Sequence, residues 1–315
     1  MKITAKSTLV HLSLFLLSFI TTTIAGVQWL NKDPFEISNF IFGFPYGLLL
    51  LAFLSCHELG HYVAARYHGV EVTLPYFIPL PSFFGIAPFG TLGAVIRIRS
   101  TVPSRRALFD IGAAGPLCGF VVSMAILVIG LRTLPPLEYL YGIHPEYSQL
   151  ATLPQGGLTF GNSLLFTLLK ETIPPVGAFI PPMNEMYHYP FLCVGWFGLF
   201  VTALNLIPIG QLDGGHIARS VFVRHYNQIG QSSLVLLVIL GTIGVLPLLG
   251  IPARIGWIGW LIWGAVLAFA LRAKGQNSLA HEEIEPIGEL RQATGWICAL
   301  ILVATFAPTP FLDIP

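Results

Sequence analysis

Residues 40–65 of the chain read FIFGFPYGLLLLAFLSCHELGHYVAA, an apolar run with two histidines and a glutamate near its end. Because about 20 consecutive apolar residues suffice to cross a bilayer as a helix, this run predicts a membrane-spanning helix. Its segment His57-Glu58-Leu59-Gly60-His61 has the form H-E-x-x-H. Residues four apart lie one turn apart on the same helix face, so both imidazoles can bind one zinc ion. Glu58 can then reach a water from the side.

The alternative explanation of this motif is a chance match, or a pair of membrane histidines hydrogen-bonded to neighbouring helices. Ionisable and polar side chains such as His57, Glu58 and His61 are costly at depth in a bilayer unless a partner or a water-filled cavity compensates them. The position of the motif inside an apolar run therefore favours a zinc site with Glu58 as general base. We expect one zinc ion per chain.

Composition places the whole chain in the membrane class. Hydrophobic residues make up 54% of the 315 residues and charged residues 10%, against about 25% charged in ordinary soluble domains. The formal net charge of +1 gives no basis for binding phosphate backbones, which requires clustered Lys and Arg. We expect a lipid bilayer around the protein and no nucleic-acid partner.

The apolar segments predict an all-α polytopic protein with about seven transmembrane helices. The first segment could instead be a cleaved secretory signal, since Lys2 and Lys6 precede its apolar core and small residues stand at Ala25 and Gly26. Its length favours an uncleaved anchor. The seven segments are 8–30, 40–65, 107–134, 190–209, 232–250, 255–272 and 292–311.

Three regions follow from this arrangement. Residues 1–39 form an N-terminal anchor with an outer loop, 40–220 a membrane core, and 221–315 a set of C-terminal transmembrane helices. Within the core, residues 135–189 are rich in Pro and Gly and are interpreted as an external loop.

Basic residues predict the orientation. With a cytoplasmic amino terminus, only Lys32, Arg132, Lys170 and Arg254 of the sixteen Lys and Arg residues lie outside. This asymmetry is typical of the positive-inside rule. It gives an integral, multi-pass protein, in the inner or plasma membrane if the source is bacterial, with the metal site near the cytosolic side.

A third metal ligand is expected, because catalytic zinc usually takes three protein ligands and a water. The candidate is Asp213, in the stretch from Asn205 to Gly215, where Pro208 must disrupt a helix. The alternative for Asp213 is a helix cap before a helix that begins near His216. Ligand counting and its predicted place on the same membrane side as His57 favour Asp213 as a ligand.

The other histidines lack metal-type spacing, and His216 is explained equally well as a surface residue at the start of a basic helix. The remaining six are expected to be surface or interfacial residues: His11, His68, His144, His188, His225 and His281. The four cysteines show no paired spacing and are interpreted as helix-packing residues.

The segment from Val72 to Ser100 contains Pro75, Pro79, Pro81 and Pro88, which exclude a regular spanning helix. Its end, residues 96–99 (IRIR), alternates as a strand does. We expect a short re-entrant loop and β-strand whose free edge pairs with an unwound substrate. The alternative is an amphipathic loop at the inner surface whose arginines meet lipid headgroups.

Three of these motifs together resemble the site-2 protease family of intramembrane zinc metalloproteases, the M50 type. They are His57-Glu58-Leu59-Gly60-His61, Ala114-Gly115-Pro116 in the next span, and the stretch from Asn205 to Leu212-Asp213-Gly214. The likeness covers roughly residues 40–220. The stretch 91–100 and the long first span also resemble the chloroplast and cyanobacterial-type branch.

The resemblance implies a three-helix catalytic core with zinc on His57, His61 and Asp213 and with Glu58 as general base. It also implies cleavage of membrane-embedded substrate helices near the cytosolic side, the reaction called regulated intramembrane proteolysis. The loop 135–189 is too short to hold the PDZ domain that many bacterial members carry. Membrane proteins with a transmembrane helix are the expected substrates.

Chemistry suggests one further residue. The oxyanion formed during peptide hydrolysis needs a hydrogen-bond donor, and Asn205 is a candidate; hydrogen bonding within the broken helix explains it equally well. Two other classes of function compete: a zinc or metal-ion transporter, and an inactive metal-bearing scaffold. Glu58 beside a single cluster of ligands argues against a transporter, which needs ligands at successive depths.

Overall fold

A computed structural model describes residues 5–81, 89–253, 255–272 and 286–314. Lys2, Pro88, Arg254 and His281, which enter the predictions above, lie outside these ranges. The described part is mostly helical. In chain order its elements are α1 (Ala5–Trp29), α2 (Phe40–Tyr67), β1 (Tyr76–Pro79), β2 (Thr91–Val95), α3 (Arg105–Arg132), α4 (Leu137–Ile143), β3 (Gly157–Phe160), α5 (Leu164–Thr172), α6 (Pro190–Leu206), α7 (Asp213–Val221), α8 (Tyr226–Ile243), α9 (Gly259–Arg272), α10 (Glu289–Thr305) and β4 (Phe311–Ile314).

Each of the seven predicted apolar segments overlaps a helix, but seven spans are not confirmed. Four described helical segments are long and apolar enough to cross a membrane: Ala5–Trp29, Ile37–Tyr67, Arg105–Arg132 and Tyr226–Leu249. Helix α6 has 17 residues, about 26 Å at 1.5 Å per residue, which is shorter than a hydrocarbon core of about 30 Å. Helix α9 is shorter still, with 14 residues.

Helix α1 packs closely against α2 through small residues. A Cβ atom added at Gly43 would lie 2.0 Å from the carbonyl oxygen of Thr23, and one at Gly26 would lie 2.6 Å from the carbonyl oxygen of Gly43. Such residues let helix backbones approach where no hydrophobic force drives helices together. That α1 is an uncleaved anchor stays a prediction.

Helix α3 is the centre of the assembly, in contact with α2, α6 and α7. It begins where the Ser104 side chain accepts a hydrogen bond from the backbone N–H of Ala107 at 3.2 Å, which satisfies one of the free donors of a helix start. The main core lies among α2, α3 and α6, with Phe53, Leu127 and Trp196 fully or almost fully buried.

The all-α prediction included one short β-strand after α2, whereas the described residues form two small antiparallel sheets, β1–β2 and β3–β4. The predicted loop 135–189 folds into α4, β3 and α5, and β3 pairs with β4 near the carboxyl end of the chain. Phe160 of β3 is 1% exposed and meets Trp196 edge to face, with ring centroids 4.8 Å apart. Aromatic packing therefore orders a segment whose Pro and Gly content suggested only a loop.

The predicted strand at 96–99 is displaced in the structure: β2 ends at Val95. Beyond it the chain continues alongside residues 71–73, where Thr73 and Arg97 share a backbone bond of 3.1 Å and Val72 forms an isolated bridge with Ile98. The next pair along the ladder is Tyr76–Val95. Three residues separate Val72 from Tyr76, but only two separate Val95 from Ile98. Pro75 lies in that stretch without an N–H to donate, which interrupts the ladder.

Candidate metal centre

The structure brings together the three predicted ligands, two from α2 and one from α7. The Nε2 atoms of His57 and His61 are 3.2 Å apart. Asp213 Oδ2 lies 3.6 Å from His57 Nε2 and 3.3 Å from His61 Nε2. A tetrahedral zinc ion with ligand bonds of about 2.0–2.1 Å separates its donor atoms by about 3.3 Å. The donor set therefore fits zinc in both chemistry and spacing.

The tautomer of His61 is set by a neighbouring carbonyl. Its Nδ1 atom lies 2.7 Å from the carbonyl oxygen of Ile111 in α3, so Nδ1–H donates and the Nε2 lone pair is available to a metal. His57 differs, because among the described residues its buried Nδ1 atom has no hydrogen-bond partner. One imidazole of the pair is thus oriented from outside the centre.

Helix α3 lies directly against the two histidines because it presents glycines to them. A Cβ atom at Gly115 would stand 2.0 Å from His61 Nε2, and one at Gly119 would stand 3.0 Å from His57 Nδ1. On the facing helix, a Cβ atom at Gly60 would be 2.6 Å from the carbonyl oxygen of Ala114. The small residues of Ala114-Gly115-Pro116 therefore allow α3 to approach α2 closely.

Asp213 reaches the centre because the chain leaves α6 and turns before α7. Helix α6 ends at Leu206, and Gly210 takes the left-handed conformation with φ 59°. The new helix begins at Asp213 itself, with Leu212 as its N-cap, so it starts earlier than the predicted position near His216. A carboxylate in the first turn is favoured by the helix dipole.

Glu58 lies beside the ligands rather than among them. Its side chain is buried, and its carboxyl group lies against the backbone of Ile96 just beyond β2. Both line a cleft of about 410 Å³. The other lining residues are His57, His61, Ala94, Val95, Arg97, Ile98, Ile111, Asn205, Gln211, Leu212, Asp213 and His216.

Asn205 stands in the last turn of α6, with Nδ2 3.3 Å from His57 Nε2. It therefore faces the centre and the cleft. Two polar residues of the cleft, Gln211 and His216, were not predicted as site residues. Gln211 had a signal in the sequence, since it is a polar residue inside the interruption between Pro208 and Asp213. The roles of all these residues, including the ligands, stay predictions.

Comparison with known proteins gives a family match. The model of peptidase family M50 matches residues 46–249, a range that includes most of α2 and all of α3, α6 and α7. It thus contains each of the five residues predicted for the site.

Three relatives show what the chain is similar to. The probable zinc metalloprotease EGY1, chloroplastic, of Arabidopsis thaliana is 29% identical over 264 residues, covering 84% of this chain and 42% of its own length. EGY2 of Oryza sativa subsp. indica, also a probable chloroplastic zinc metalloprotease, is 34% identical over 181 residues, covering 57% and 29%. The probable zinc metallopeptidase EGY3, chloroplastic, of Arabidopsis thaliana is 28% identical over 265 residues, covering 82% and 41%. The chain spans less than half the length of these relatives.

Proposed function

The chain belongs to peptidase family M50, and we propose that it is a zinc metallopeptidase that hydrolyses peptide bonds of membrane-embedded substrate helices. One observation supports this most strongly. Two imidazoles and a carboxylate converge at tetrahedral spacing, with the buried carboxyl group of Glu58 beside them in the same cleft. The names of the relatives, which describe zinc metalloproteases, agree with this assignment.

The proposed chemistry assigns a task to each group. His57, His61 and Asp213 would hold zinc, which supplies Lewis-acid polarisation and lowers the pKa of water when bound. Glu58 accepts the proton of the attacking water and later returns it to the leaving amine. Asn205 Nδ2 is placed to donate a hydrogen bond to the oxyanion that develops on the scissile carbonyl.

A membrane helix hides its peptide bonds in its own hydrogen bonds, so we propose that the substrate unwinds and pairs with the strand beyond β2. In that strand the N–H and C=O groups of one residue point to the same edge. Because those of Arg97 face Thr73, those of Ile96 and Ile98 face the opposite edge. Both residues line the cleft, and the alignment of Glu58 with the backbone of Ile96 agrees with this direction.

The orientation and location are further parts of the proposal. Excess Lys and Arg on one side place the centre near the cytosolic face of a multi-pass protein. The described helices that could span a membrane support the membrane setting. The expectation of a bacterial plasma membrane gains no support from the comparisons, whose named relatives are chloroplastic.

Cleavage of a single-span substrate by purified full-length protein tests the function. Glu58→Gln keeps the shape of the side chain but cannot accept the proton, so we expect a loss of at least about 100-fold in cleavage rate with zinc content unchanged. Glu171→Gln in α5, an exposed change of the same kind, should retain full activity. Zinc uptake by vesicles without any cleavage would instead identify a transporter, and zinc binding without either activity a scaffold.

A further inference from the structure

A second cluster of metal-type side chains lies in the segment 135–189, far from the first centre. Its members are His144, Glu185 and His188, whose donor atoms lie within 4.8 Å of one another. The sequence predicted His144 and His188 to be simple surface or interfacial residues. That prediction is wrong for His188, which is 2% exposed, and Glu185 is 3% exposed.

This cluster and the cleft lie near opposite ends of helix α1. His188 Nδ1 contacts the carbonyl oxygen of Trp29, the last residue of α1, whereas His11 in the first half of α1 contacts the carbonyl oxygen of Pro75 beside β1. These two points stand about 27 Å apart along the helix at 1.5 Å per residue. The cluster is therefore distinct from the proposed catalytic site.

Two of the three separations between donor atoms are close to those of a tetrahedral zinc site. His144 Nε2 lies 3.0 Å from His188 Nε2, and His188 Nε2 lies 3.3 Å from Glu185 Oε2. Donor atoms around zinc are separated by about 3.3 Å. The third separation, between His144 and Glu185, is at most 4.8 Å, so these two side chains must move closer together to share the ion.

Groups outside the cluster orient each donor toward its centre. His188 Nδ1–H donates to the carbonyl oxygen of Trp29, which leaves the Nε2 lone pair inward. His144 Nδ1 lies 3.0 Å from Glu146 Oε1, the carboxylate–histidine arrangement typical of zinc ligands. The other carboxylate oxygen of Glu185, Oε1, accepts from Tyr147 and Asn184, each at 3.1 Å.

One buried atom has no such partner. Among the described residues, no hydrogen-bond donor satisfies Glu185 Oε2. If His188 carried a second proton, on Nε2, that N–H could donate to His144 Nε2 or to Glu185 Oε2. It could not satisfy both lone pairs. A divalent cation accepts all three lone pairs at once, and buried carboxylates are paired or coordinate metals.

We propose that His144, Glu185 and His188 form a second zinc site with a water as fourth ligand. His188 directly precedes Tyr189, the N-cap of α6, and its ring is bonded to the end of α1. The ion would tie the segment 135–189 to both helices and fix the start of α6, which holds Asn205 at its far end. The expectation of one zinc per chain then becomes two.

Zinc counting on the purified full chain, loaded with Zn²⁺ and freed of excess, tests the proposal. We expect two zinc ions per wild-type chain and one in His144→Ala, whose side chain is the most exposed of the three. Asp213→Asn should lose the other ion, and the double variant should bind none. His225→Ala, an exposed histidine elsewhere, should keep two.

Thermal unfolding gives a second measurement. Because a ligand bound only to the folded state stabilises it, added Zn²⁺ should raise the unfolding temperature of Asp213→Asn, and His144→Ala in the same background should abolish the rise. A count unchanged by His144→Ala, whether the wild type binds one zinc ion or two, would overturn the second site. If Asp213→Asn leaves the count unchanged while His144→Ala lowers it, the second site stands and the proposed catalytic centre fails.

Discussion

Gly115 of α3 lies so close to His61 that a Cβ atom at this position would stand 2.0 Å from His61 Nε2. The ring cannot simply rotate away, because its Nδ1–H is bonded to the carbonyl oxygen of Ile111 at 2.7 Å. Gly115→Ala should therefore displace the imidazole from the ligand position. We expect zinc affinity at this centre to fall at least about tenfold, as when an outer partner of a zinc ligand is lost.

Competition with a calibrated zinc chelator measures that affinity. Gly264→Ala in α9 is the matched control, because a Cβ atom there would meet its nearest side-chain atoms at an ordinary 3.8 Å. It should bind zinc as the wild type does. An unchanged zinc affinity in Gly115→Ala would show that His61 is not held against α3 as the structure has it.

The centre was predictable to the extent that its geometry is local. The sites of His57, Glu58 and His61 were predicted from helical spacing inside one apolar run. In the structure all three residues lie on the single helix α2. Asp213 was reached by counting ligands and by noting that Pro208 must end a helix. The position of Asp213 at the first residue of α7, and the contact between Asn205 and His57, depend on how separate helices pack.

Other features could not be predicted because distant residues decide them. The cluster of His144, Glu185 and His188 has no regular spacing, and it forms only when the segment 135–189 folds against the end of α1. The strand pattern at 96–99 was recognised, but the interruption at Pro75 shifts the regular ladder to β2. Seven spans are not confirmed, because α6, with 17 residues, ends at its break and is shorter than the hydrocarbon core of a bilayer.

Asn205 offers a test of oxyanion stabilisation. If Nδ2 donates to the oxyanion, Asn205→Ala should lower kcat by about 100-fold, with KM and zinc content little changed, because the bond forms only in the transition state. Steady-state kinetics on a single-span substrate measure both constants. Asn162→Ala, at an exposed asparagine, should leave kcat unchanged. A normal kcat in Asn205→Ala would show that Asn205 does not stabilise the oxyanion. Its role would then be hydrogen bonding at the end of α6.

Asp110, near the start of α3, connects that helix to α10 and to the residue that follows α2. Its carboxylate accepts two hydrogen bonds from Arg291 of α10, at 2.8 and 2.7 Å, and contacts His68 Nε2 after α2 at 2.8 Å. Bidentate pairs of this kind are stronger than ordinary surface ion pairs. We expect Asp110→Asn to destabilise the protein by about 1 kcal/mol, seen as a lower unfolding temperature in detergent.

A double-mutant cycle isolates that contact from the general effect of each substitution. Asp110→Asn and Arg291→Gln together should cost less than the sum of the two single changes. Additive losses would mean that the pair contributes no coupling. Zinc content should be unchanged in all three variants, because neither residue lines the cleft.

The edge of the strand beyond β2 is the remaining feature to test. Ile98 is the better position for proline, because the backbone of Ile96 already faces Glu58. The N–H of Ile98 points to the cleft edge, so Ile98→Pro removes a donor to the substrate while the bonds of Arg97 and Arg99 to residues 71–73 remain. We expect cleavage to be abolished with zinc content intact.

Ile98→Ala separates backbone from side chain at this position. It keeps the N–H and loses only apolar contact, so it should retain most of the cleavage that Ile98→Pro loses. Equal loss in both variants would indicate that the side chain, not the strand edge, recognises the substrate. Full cleavage in Ile98→Pro would contradict strand pairing and favour the amphipathic-loop alternative, in which Arg97 and Arg99 meet lipid headgroups.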